Sequence, residues 1–335
     1  MKSLGIAGFV ASFGIILFVL HTVGIGELLR IYREIDFFYW ALAVSVYVFV
    51  IFLSAVRWNE FIIDMGMKAK FASVFAISWI GCAINSVTPV AISGGEPAKA
   101  YFLSKVSSAK KSRTFATVIA TDFLEYGSFV LLDIVAVMIL HFKLDLPVVI
   151  LYPLLLVIGM GILVLGSLVY TSLNRKASLA VTLFFMSFLK RFRVLRKHVL
   201  RFEENLSHNI DIFNSALREV SFRTIVSTMS ISVLSRVLDV LRLYLIIIAL
   251  GGRIDPLFIV IAIAFGTFAS AVPLLPGAIG AVEPAMIAGF VLGGVSLPLA
   301  AVVVIVERII VLGLNTSLGF GCMYFLGYGN KRGKW

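Results

Sequence analysis

The chain has 335 residues, 60% of them hydrophobic and only 14% charged, with a mean hydropathy of +1.04. Soluble domains average about a quarter charged residues, so this composition excludes a soluble globular protein and predicts a polytopic helical membrane protein. The net charge of +11 is gathered in a few loops, which the positive-inside rule explains without invoking nucleic acid.

Residues 4–25 form an apolar run of about twenty residues with no A-x-A cleavage pattern after it, and they predict a first transmembrane helix. Residues 27–36 are short, amphipathic and mixed in charge, as expected of a surface helix on the outer side. Residues 37–56 predict the second span, ending at Arg57-Trp58, which reads as a basic and aromatic interfacial anchor.

The apolar run 71–88 then leads into NSVTPVAISGGEPAKAY, residues 85–101. Proline cannot continue a helix, glycine pairs favour unwound backbone, and lipid cannot satisfy the peptide groups so freed. Broken backbone at membrane depth therefore needs protein or a water-filled cavity around it. Glu96 in the same stretch marks a functional site by default. Lys68 and Lys70 lie before the stretch, and Lys99, Lys105, Lys110, Lys111 and Arg113 lie after it. Basic charge on both sides predicts a re-entrant hairpin that enters and leaves on the cytoplasmic side.

Residues 114–141 predict the next span, carrying Asp122, Glu125 and Asp133. At 3.6 residues per turn Asp122 and Asp133 share a face, with Glu125 within about 60° of it. That face should meet Arg236 or Arg242 of another helix, or a polar cavity, in a structural or a functional network. Residues 147–170 return to the inside. The segment 174–223 is the most basic and reads as a cytoplasmic linker with an apolar, interfacial middle. Residues 224–250 open a second half with Arg236, Asp239 and Arg242. Residues 255–294 predict a second hairpin around Glu283, and 297–326 the last span, with Glu307-Arg308. Lys331, Arg332 and Lys334 place the C-terminus in the cytoplasm.

The Glu96 stretch appears twice. Residues 275–285, LPGAIGAVEPA, match residues 88–98, TPVAISGGEPA, at six of eleven positions, with a constant offset of 187. Pro276 answers Pro89 and Glu283-Pro284 answers Glu96-Pro97. Counting both hairpins as re-entrant gives repeats of opposite orientation, roughly 37–142 and 224–327, within one integral membrane domain, 1–335. The expected fold is an all-α polytopic membrane protein with about six full transmembrane helices plus two re-entrant, Pro/Gly-broken hairpins in an inverted repeat.

These motifs resemble the lysylphosphatidylglycerol synthase transmembrane family. The residues that carry the likeness are Thr88-Pro89, Ser93-Gly94-Gly95-Glu96-Pro97-Ala98-Lys99-Ala100, Leu275-Pro276-Gly277, Gly280, Glu283 and Glu307-Arg308. The resemblance covers about residues 1–328 and implies the flippase-like membrane module of bacterial multiple peptide resistance factors. Similar modules occur in some archaeal dolichyl-phosphate hexosyltransferases and as stand-alone proteins. The family commonly has Gly-Gly after each motif proline, whereas Val90-Ala91 and Gly277-Ala278 stand here, and Lys99 replaces a usual Arg. No soluble transferase domain is expected, so the synthetic activity of larger relatives is not carried over.

The expected function is transport of a polar or phosphate-bearing lipid headgroup across the plasma membrane. Membrane lipids are the expected partners. Glu96 and Glu283 could bind a cationic headgroup, carry protons, or cap half-helices as N-cap residues before Pro97 and Pro284. Lys99, Arg236, Arg242 and Arg308 are candidate phosphate partners or members of internal ion pairs. The Pro and Gly residues 89, 94, 95, 97, 276, 277 and 280 shape the breaks. The alternatives are a lipid-modifying enzyme, for which no nucleophile or phosphate loop speaks, and a scaffold for a separately encoded transferase. Cys82 and Cys322 lie in apolar segments, the histidines at 21, 141, 198 and 208 are scattered, and no metal or cofactor is expected.

Overall fold

The computed structural model describes residues 33–88, 94–144, 219–270 and 278–331, with isolated positions elsewhere. Among the described residues the secondary structure is entirely helical. The expected first span, the 27–36 surface helix, the 147–170 span and most of the basic linker lie outside them.

The described residues form eight helices in two quartets: α1 (Phe37–Asp64), α2 (Phe71–Val87), α3 (Glu96–Ser107) and α4 (Lys111–Leu144), then α5 (Phe222–Ala249), α6 (Pro256–Ser270), α7 (Val282–Leu292) and α8 (Leu297–Lys331). Each quartet opens with a capped helix of 28 residues. Asp36 accepts the Phe38 N–H at 2.8 Å ahead of α1, and Ser221 Oγ accepts the Thr224 N–H at 3.3 Å ahead of α5. Two short helices come next, separated by a break, and a helix of 34 or 35 residues closes the quartet.

α1 and α5 pack antiparallel along one another. At one end the Asp36 N–H donates to the Ala249 carbonyl at 2.8 Å. At the other the Ser221 N–H donates to Asp64 Oδ2 at 2.7 Å. Arg113, at the start of α4, donates to the Met65 carbonyl at 2.8 Å and pairs with Glu219 at 2.5 Å, so α4 begins where α1 ends. Only short loops join α1 to α2 and α3 to α4. α2 and α3 therefore leave from and return to that same end. α6 and α7 do the same at the opposite end, where Gly252 lies against Leu299 and Gly293 against Ile254 and Phe258. The quartets interlock, α2 packing on α8 and α6 on α4.

Apolar residues line two cores. One gathers Phe61, Ile62, Ile77, Ile80 and Leu103 within the first quartet. The other gathers Leu243, Ile246, Ile259, Phe290 and Val303 in the second, joined by Ala43, Tyr47 and Trp79 from the first. Large apolar side chains also face outward, among them Phe38, Phe49, Leu131, Phe142, Val237, Ile309 and Phe325, while most of the charged side chains of the long helices point inward. That is the reverse of a soluble protein and suits a lipid surround.

α1 and residues Leu297–Leu326 of α8 are long and apolar enough to cross a membrane. α4 and α5 are about 51 and 42 Å long at 1.5 Å per residue, but they carry the intramembrane charges. The Arg57-Trp58 anchor is corrected. Arg57 is fully buried and Trp58 is 3% exposed, because α1 runs six residues past them to Asp64 and buries both against α4 and α5.

Candidate functional site

The site begins at the first break. α2 ends at Val87 and α3 starts at Glu96. Asn85, on the last turn of α2, staples the two sides: its Oδ1 accepts the Gly95 N–H at 2.6 Å and its Nδ2 donates to Glu96 Oε1 at 3.3 Å. Gly95 must lack a side chain, since a Cβ there would meet the Gly81 carbonyl oxygen at 2.3 Å. Gly81 in turn makes room for the Lys99 stem, which a Cβ would meet at 2.6 Å. Lys99 reaches Asp122 of α4 at 3.8 Å. Gly94 lies against Thr88, and Pro97 stands in the first turn of α3, where its missing N–H costs nothing.

The second break has different partners. Glu283 Oε2 accepts the Gly280 N–H, and Oε1 pairs with Arg308 of α8 at 2.9 Å. Gly280 has φ +83°, a conformation suited to glycine. Arg308 Nη2 is buried with no hydrogen-bond acceptor among the described residues. Neither acid is an N-cap: Glu96 is the first residue of α3 and Glu283 the second of α7. Both carboxylates sit in a first helical turn, where the positive end of the helix dipole favours them. Pro89, Pro276 and Gly277 lie outside the described residues.

The remaining charges lie between the breaks. Arg242 bridges Asp239 at 3.2 Å and Glu307 at 3.1 Å and stacks over Tyr47 at 5.2 Å. Tyr47 donates to Asn315 at 2.6 Å, and Asn315 donates to Ser86 at 3.3 Å, next to Asn85. A polar chain thus runs from Glu307 to the Glu96 break through side chains of α8, α5, α1 and α2. Arg236 meets Asp133 at 2.8 Å, one of the contacts the helical spacing predicts. Glu125 meets neither expected arginine and pairs instead with Arg57, which also donates to Ser232 at 2.9 Å.

Arg57 is the residue that reading along the chain misses, because Trp58 beside it resembles an interface anchor. The spacing between the two halves carries the signal. Arg57 and Arg242 are 185 residues apart, the same spacing as the starts of α1 and α5. Each arginine ties the first helix of its quartet to the last through a glutamate.

A protein-family model described as the lysylphosphatidylglycerol synthase TM region matches residues 5–319. The chain belongs to this family. It is an α-helical membrane protein. It is 31% identical over 307 residues to a UPF0104 membrane protein of Methanothermobacter thermautotrophicus, covering 91% of this chain and 90% of the relative. It is 29% identical over 314 residues to a UPF0104 membrane protein of Pyrococcus horikoshii, covering 91% and 92%. A Methanocaldococcus jannaschii relative of the same name is 22% identical over 327 residues, covering 95% and 93%. No solved structure matches. Ala278, which follows Pro276-Gly277 in this chain, has φ +53°, a left-handed conformation in which an L side chain is strained.

Proposed function

We propose that the protein carries a polar or phosphate-bearing lipid headgroup across the plasma membrane, without covalent chemistry, by alternating exposure of the two broken-helix tips. The observation that carries this reading is the pair of interrupted short helices, each opening on a buried or half-buried acid, with Glu283 paired to Arg308 of a long helix and Lys99, one turn beyond Glu96, reaching Asp122 of another. Broken helices supply unpaired backbone groups at depth, and such tips form the substrate sites of many secondary transporters.

Several features support an inverted repeat. The leading helices are antiparallel, the helix lengths match in order, and each hairpin returns to the end it left, at opposite ends of the bundle. Arg308, with its buried donor lacking an acceptor, is the proposed phosphate partner. Glu96, Glu283, Lys99, Asp122, Glu125, Arg236, Asp239, Arg242 and Glu307 form the polar lining. The positive-inside rule puts the C-terminus in the cytoplasm on this reading.

The test is lipid translocation in liposomes containing the purified protein, read with fluorescent lipids and a membrane-impermeant quencher. The wild type should accelerate translocation of at least one native lipid class. Glu96→Gln and Glu283→Gln should each lower the rate at least roughly tenfold in protein that still folds and shows a cooperative thermal transition. Wild-type protein that moves no native lipid would overturn the reading and leave a partner of a separate transferase as the better one.

A further inference from the structure

The two breaks are neutralised unequally. At the second, both oxygens of Glu283 are engaged, one by Arg308 and one by the Gly280 N–H. At the first, Glu96 is 6% exposed, and among the described residues Oε1 takes only the Asn85 amide and the buried Oε2 has no hydrogen-bond partner. Lys99 is the near cation on the same helix, and it is shared with Asp122.

Every neighbouring element contributes to the balance. α3 brings Glu96 and Lys99, α2 brings Cys82 and Asn85, α4 brings Asp122, Glu125 and Tyr126, and α1 brings Arg57. Arg57 and Glu125 cancel. Lys99 then faces two carboxylates. Among the described residues the cluster holds one more acid than base, in a place where an uncompensated charge is costly. One bound monovalent cation would remove the excess, and a proton needs no coordination shell beyond the free oxygen.

We propose that Glu96 and Asp122, gathered around Lys99, form a coupling-ion site that takes up one proton in each transport cycle. The proton enters from one aqueous phase, converts one carboxylate to the neutral acid, and leaves to the other phase when the tips exchange exposure. Headgroup movement through Arg308 and Glu283 is thereby tied to proton movement through Glu96. The cycle rests on the transport reading, but proton binding does not.

Two measurements separate them. Infrared difference spectra of purified wild-type protein between alkaline and acidic buffer should show a carboxylic-acid carbonyl band. That band should be lost or halved in Glu96→Gln and in Asp122→Asn, and kept in Glu283→Gln. If one of the first two variants does not fold, the other carries the test. A spectrum unchanged in both folded variants would overturn the site. In liposomes, an imposed pH gradient should speed lipid translocation several-fold. Translocation that ignores the pH gradient, or follows a sodium gradient instead, would overturn proton coupling. Absence of lipid movement under any gradient, with the band and its losses intact, would overturn transport and leave the proton site standing.

Discussion

At the scale of single residues, the energetics turn on buried charges that cannot be removed one at a time. Arg57 has no exposure and holds Glu125, Ser232 and Ser54. Arg57→Met should destabilise the protein by about 2–4 kcal/mol, because half-buried Glu125 is left without its charged partner. Adding Glu125→Met should recover most of that loss. Thermal unfolding in detergent checks both, and a double variant no better than the single would show that the pair is not the cause. Ala278 is the opposite case. Its left-handed backbone costs roughly 1–2 kcal/mol, while its buried methyl contributes about 0.8 kcal/mol. Ala278→Gly should therefore leave the unfolding temperature unchanged or raise it by a few degrees. The charges on α4 were legible as a face that must be paired, and Asp133 with Arg236 is that pairing. Which acid takes which base was not legible, since it depends on how far each helix slides along its neighbour.

At the scale of the element, hydrophobic burial does little to choose between helix contacts inside a bilayer. Close backbone approach decides instead. Gly95 lies on the Gly81 backbone, and a Cβ at Gly319 of α8 would meet the Trp79 carbonyl oxygen and the Ala83 side chain of α2 at 2.4 Å. Gly95→Ala and Gly319→Ala should each cost about 1–3 kcal/mol. Gly313→Ala, with open space around it, should be neutral or mildly stabilising. Equal effects at all three positions in thermal unfolding would show that helix propensity, not close packing, governs these sites. The breaks before Glu96 and Glu283 were visible in sequence because Pro and Gly interrupt apolar runs there. The far end of α1 was not. Asn59, Glu60 and Asp64 look like a water interface, yet Glu60 accepts from Ser227 at 3.0 Å and Asp64 accepts the Ser221 N–H. Their partners come from more than 150 positions away, beyond the reach of any local pattern.

For the whole molecule, the proposed inverted repeat makes a prediction about sidedness. Asp64, Met65, Arg113 and Ser221 bring the ends of α1, α4 and α5 together, so the loops at Lys68 and Ser108 share that end. Asp36 and Ala249 meet at the other, with Arg253 and Ser296 in its loops. The first set of loops with the start of α4 carries Lys68, Lys70, Lys110, Lys111 and Arg113, and the second set of loops only Arg253 and Asp255, so the positive-inside rule predicts a cytoplasmic first set. The four probe positions are exposed on the folded chain. In a background without Cys82 and Cys322, single cysteines at Arg253 and Ser296 should react with a membrane-impermeant maleimide added to intact cells. Cysteines at Lys68 and Ser108 should react only after permeabilisation. If all four reacted from one side, at least one short-helix pair would have to cross completely, and the two breaks could no longer meet as opposed tips. If the pattern were reversed, the inverted repeat would survive while the C-terminus moved outside. Either result would be read against the same antiparallel α1–α5 seam, which on the proposed inverted repeat brings the two quartets into one bundle by turning one of them over.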